Sequence, residues 1–133
     1  MKRFLLTLLC LWSLAAVALA AEKNTALIHP GETVYVRFDT QGKKIKFVSA
    51  STEKSEGAQV IFTFDKEAKG AMRTLKVENK FPHDLVYKLE VRSLSLKHQT
   101  RLKPTPVVGG KVAFDEYASV VEEIACFDFK LER

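Results

Sequence analysis

The chain is short of cysteine, and that shortage decides what can hold it together. Of 133 residues only Cys10 and Cys126 carry a thiol, and Cys10 lies inside an N-terminal apolar run. Without that run Cys126 stands alone, no intramolecular disulfide can form, and stability must come from a hydrophobic core. The only tryptophan, Trp12, sits in the same run. There is no Asn-x-Ser/Thr acceptor: Asn24 is followed by Thr25-Ala26 and Asn79 by Lys80-Phe81. CxxC, HExxH, GxSxG, P-loop and GxGxxG patterns are also missing, which removes the local signatures of thioredoxin-type redox, zinc peptidase, α/β-hydrolase and nucleotide chemistry.

What is present begins with MKRFLLTLLCLWSLAAVALA. Lys2 and Arg3 supply a positive start, Phe4 to Val17 an apolar stretch, and Ala18-Leu19-Ala20 a small-x-small exit. Residues 1–20 read as a secretory signal peptide cut between Ala20 and Ala21. The run falls short of the roughly 20 residues that span a bilayer, so no stable membrane span is expected after cleavage. Cys10 follows Leu8-Leu9 in mid-run, not the small residue that precedes a lipidated cysteine. The expected product is residues 21–133, one domain, periplasmic or secreted, with a Gram-negative periplasm as the first reading.

Losing Lys2 and Arg3 with the leader reduces the formal charge from +5 to +3. That surplus is mild, and the basic stretches lack interleaved aromatics for stacking on bases, so nucleic acid is not an expected partner.

Hydrophobic alternation dominates the remainder. Residues 32–38 place Val34, Val36 and Phe38 on one face, after a Pro30-Gly31 turn. Residues 43–49 turn Ile45 and Phe47 inward. Residues 59–65 carry Val60, Phe62 and Phe64 and read as a central strand, and residues 72–78 contribute Leu75 and Val77. Residues 85–97 read as one long strand in which the apolar phase flips after Val91, as a β-bulge would flip it. Residues 107–112 centre two glycines between β-formers and suggest a hairpin. Residues 115–119 suggest a short helical turn, because Phe114, Tyr117, Val121 and Ile124 fall near helical spacing. A closing strand follows over about 122–131, with Ala125, Phe127, Phe129 and Leu131 spaced by two. The fold class is therefore an all-β, single immunoglobulin-like antiparallel β-sandwich of seven or eight short strands with one helical turn.

Candidate chemistry is sparse. His29, His83, His98, Cys126 and Met72 are the ligand types of a blue-copper centre, but nothing after Cys126 is His or Met, against the closing-loop clustering of such sites. The adjacent pairs Asp115-Glu116 and Glu122-Glu123 would point to opposite faces of a strand and could not share one bond. No catalytic, cofactor or metal residue is assigned. The strongest binding candidates are Lys97, His98, Arg101 and Lys103, in what reads as the longest irregular connection of the chain. Lys43, Lys44 and Lys46 form a second basic stretch.

These features point to a non-enzymatic binding module that engages a protein partner or an anionic envelope component through a basic loop or a sheet edge. The alternative is a small ligand- or metal-binding protein, or an enzyme with a dispersed site. That alternative would bring His98 or His83 near Cys126 or a carboxylate.

Overall fold

The computed structural model describes residues 23–132. The signal-peptide reading falls on residues 1–20, outside the described residues. Nine strands form two antiparallel sheets and, among the described residues, no helix. They are β1 (Ala26–Ile28), β2 (Thr33–Gln41), β3 (Lys44–Ser51), β4 (Val60–Phe64), β5 (Met72–Asn79), β6 (Asp84–Ser93), β7 (His98–Leu102), β8 (Val112–Ala118) and β9 (Glu123–Glu132). One sheet runs β1-β9-β6-β7 and the other β3-β2-β4-β5-β8. The two pack as a β-sandwich.

The period-two pattern explains the core. Val34, Val36, Val60, Phe62, Phe64, Leu75 and Val77 alternate on β2, β4 and β5 and are almost wholly buried. They meet Ile28, Leu85, Tyr87, Leu89, Ile124 and Cys126 from the four-stranded sheet. Phe129 is the hub: its ring centroid lies 5.2 Å from Phe38, 6.2 Å from Phe47, 6.3 Å from Phe62 and 6.0 Å from Tyr87. β4 is central, with β2 on one side and β5 on the other.

Several sequence expectations are corrected. The strand β1 has no counterpart in the sequence pattern, because three residues are too few to display alternation. The long strand over 85–97 stops at Ser93, and Leu94 to Lys97 turn the chain into β7, with Lys97 at φ 51°. The phase flip is thus a tight turn. The bulge lies instead in β9, where Asp128 and Phe129 face the single residue Tyr87 and Asp128 adopts φ 56°. It divides the apparent row of β9: Ala125 and Phe127 lie on the outer face, and Phe129 enters the core.

The Gly109-Gly110 turn does not close a hairpin. Val107 bridges Leu85 in the four-stranded sheet, whereas Val112 pairs with Glu78 in the other, so the turn carries the chain between sheets. The expected helical turn over 115–119 is part of β8, which pairs with β5 along its whole length, from Val112↔Glu78 to Ala118↔Met72. Backbone pairing over seven residues outweighs an accidental helical spacing.

Candidate interaction edges and an ion-pair chain

The outer face of the four-stranded sheet carries a continuous run of six charged or titratable side chains. The His29 ring sits between two carboxylates, with Nδ1 2.8 Å from Glu32 Oε1 and Nε2 2.8 Å from Glu123 Oε2. Glu123 accepts from Arg92 Nη1 at 2.6 Å, Arg92 Nε donates to Glu90 at 2.9 Å, and Glu90 accepts from Arg101 Nε at 3.2 Å. Cross-strand pairing places these groups: Glu123 lies opposite Arg92, and Glu90 opposite Arg101.

Burial pulls the His29 pKa down, but its hydrogen bonds to the Glu123 and Glu32 carboxylates, together with their charge, outweigh it and hold the imidazole above its ordinary value. The Arg92 hydrogen bond lowers Glu90, against burial and with help from Arg101. Burial raises Glu123, and Arg92 and His29 overcome it to bring the net value down. Every charge in the run is thus matched by a neighbour of opposite sign.

This arrangement changes the standing of the four basic-loop residues. Residues 98–102 form β7, paired with β6, so half of the expected loop is an edge strand. Lys97 occupies the turn before it, and exposed Lys103 follows it ahead of Pro104. His98 Nε2 lies 3.0 Å from Thr100 Oγ1. Arg101 is engaged by Glu90, and its guanidinium lies 5.4 Å above the Phe127 ring. Strand alternation sends His98 and Arg101 to opposite faces. The four residues share one edge without converging on one point. Lys44 and Lys46, with Lys43 just ahead of them, lie on β3, which packs across from β9 and β1. β7 lies beyond β6 from those strands, so the two basic stretches do not form a single surface.

Among the described residues four strand edges end the sheets, and three are blunted by shortness, lysine or proline. β1 has only three residues and precedes Pro30. β3 carries Lys44 and Lys46 and is bulged where it faces Arg37 and Phe38. β7 is flanked by Lys97 and by Lys103, Pro104 and Pro106. β8 differs. Its outer row is Val112, Phe114, Glu116 and Ala118, with Phe114 65% and Val112 44% exposed. Its second edge has no strand partner among the described residues.

The inner row of β8 holds Asp115 and Tyr117. Burial holds the Asp115 carboxyl above its ordinary value and likewise pushes the Tyr117 phenol up. Asp115 is the edge's only inward charge. Sequence reasoning missed this edge because it read Phe114 and Tyr117 as one helical face. The signal that reveals it is the alternation of Val112, Phe114, Glu116 and Ala118.

Cys126 is fully buried in the core, where desolvation raises its thiol far above the ordinary value. Among the described residues no group of three or more His, Cys, Asp or Glu side chains is placed to hold a metal ion. No described helix is long and apolar enough to cross a membrane. No family model, curated protein or solved structure matches the chain.

Proposed function

We propose that this chain is an exported, non-enzymatic interaction module that binds a protein partner by strand addition at β8. One observation carries the reading: of the four sheet edges among the described residues, β8 alone presents a large exposed aromatic, Phe114, on a strand of seven residues. An extended partner segment would pair with the β8 backbone and place an apolar side chain beside Phe114 and Val112. Main-chain hydrogen bonds would supply affinity, and the Phe114 contact would supply register.

The sandwich is read as immunoglobulin-like, a class in which rigid sheets present edges and end loops to partners. The leader-like start of the sequence supports a periplasmic or secreted setting. The basic-edge version of the proposal is weaker, because Arg101 is already committed to Glu90.

The test compares two charge substitutions in a partner-capture assay, Phe114→Glu on β8 and Arg101→Glu on β7. Loss of the captured partner with Phe114→Glu alone is the expected result. Loss with Arg101→Glu alone would move the interface to β7 and end the β8 reading.

A further inference from the structure

Ahead of β1, residues 23–25 run beside β3, and an open cleft of about 450 Å³ separates them. Lys23 and Lys46 stand on its rim, and the rings of Phe47 and Phe129 line it. Those rings stack at 6.2 Å with an interplanar angle of 22°, and both are only partly buried. A second concavity of about 570 Å³ shares Lys23, Lys46 and Phe47 and extends along Val48 and Ala50. Val48 is half exposed. The groove is therefore mixed: Phe47, Phe129, Val48 and Ala50 give it apolar surface beside the ammonium groups of Lys23 and Lys46 and the polar side chains of Asn24 and Thr25.

The charges at this rim differ from those of the ion-pair run. Among the described residues neither Lys23 nor Lys46 makes an ion pair. One carboxylate, Asp128, also lines the cleft, but its oxygen lies 3.0 Å from Lys88 Nζ. The Lys88 hydrogen bond, with Lys130 nearby, holds that carboxyl below its ordinary value, so it stays ionised and is paired with Lys88.

We infer that this cleft binds a small amphipathic carboxylate, its head between Lys23 and Lys46 and its apolar body over Phe47 and Phe129. Two ammonium groups without an ion-pair partner among the described residues favour an anion over a cation or a neutral molecule. The Phe47 and Phe129 rings, with Val48 and Ala50 in the adjoining concavity, favour an apolar chain or ring over a bare inorganic anion. The site is independent of β8: it lies at the β1–β3 side of the sandwich, and neither reading needs the other.

The probe is octanoate, added to the purified, isotope-labelled protein and followed by backbone amide shifts. Saturable shifts at residues 23–25, 46–48 and 127–129 are expected, with half-saturation below about 1 mM. Octylammonium and inorganic phosphate are expected to leave those amides unmoved. The double variant Lys23→Glu/Lys46→Glu should weaken octanoate at least about tenfold while keeping the wild-type spectrum elsewhere. Absence of saturable shifts overturns the inference. So do equal shifts from octylammonium, full shifts from phosphate alone, or unchanged octanoate affinity in the double variant.

Discussion

His29 Nε2 lies 2.8 Å from Glu123 Oε2 although the two residues are 94 positions apart, and its other ring nitrogen meets Glu32 at the same distance. Glu32 directly precedes β2 and Glu123 opens β9, so one imidazole ties both sheets together at this end of the sandwich. Both ring nitrogens can donate at once only when the ring is protonated. The folded pKa is raised above 6.5, so this contribution is complete below that value and fades as pH rises through the folded pKa. Glu90 and Glu123 act in the opposite sense, since their pKa values are lowered from 4.5 and their contribution is lost on acidification. Stability should therefore peak between about 4.5 and 6.5. Denaturant midpoints measured across pH check this, and His29→Gln should flatten the alkaline side. An unchanged alkaline slope in that variant would refute the assignment.

Tyr87 offers a test of burial without compensation. Its side chain is 1% exposed, and its hydroxyl has no hydrogen-bond partner among the described residues. Tyr87→Phe removes an unsatisfied polar atom and keeps the ring contacts with Phe62 and Phe129. The variant should be as stable as wild type or more stable, by up to about 1 kcal/mol. A loss of more than about 1 kcal/mol by chemical denaturation would mean that the hydroxyl is partnered.

Gly109 tests the sheet-crossing turn. A Cβ at this position would lie 2.5 Å from the Pro82 carbonyl oxygen and 2.9 Å from the His83 nitrogen. Both contacts are with backbone and cannot swing aside. Gly109→Ala should cost on the order of 3 kcal/mol, visible as a lower melting temperature. Gly42→Ala makes a poor control because its φ is 61° although the space around it is open. A surface change such as Lys54→Ala is the better comparison and should fall within about 0.5 kcal/mol of wild type.

Asp115 is expected to guard the β8 edge. Its folded pKa is raised by burial, so the ionised form costs stability, and that cost appears as pH rises through the folded value. Asp115→Asn should raise the melting temperature at neutral pH and, by removing an inward charge, increase concentration-dependent self-association. Sedimentation at several concentrations reads the second effect. A strictly monomeric Asp115→Asn variant would show that other features protect this edge.

The sequence made the interior legible where strands have one face in the core. Val34-Val36-Phe38, Val60-Phe62-Phe64 and Leu75-Val77 were all read as inward rows, and most of these side chains are wholly buried. It was misleading where that condition fails. β8 is an edge strand whose inner row includes Asp115 and whose outer row includes Phe114, so its polarity is inverted relative to the other strands. Leu94 and Leu96 extended a strand pattern into what is a turn, and both are exposed. The ion-pair run was invisible for another reason. Its links His29–Glu123, Arg92–Glu123 and Glu90–Arg101 join different segments of the chain, and contacts across such separations leave no local spacing to read.

The most direct measurement is site-specific photocrosslinking in the cells that make the protein, with the photoreactive residue placed in turn at Phe114 on β8, Thr100 on β7 and Lys44 on β3. A discrete adduct from position 114, weak or absent at the other two, is the expected outcome, and proteolysis of that adduct should locate an extended segment of the partner. Adducts from position 100 or 44 with none from 114 would contradict strand addition at β8.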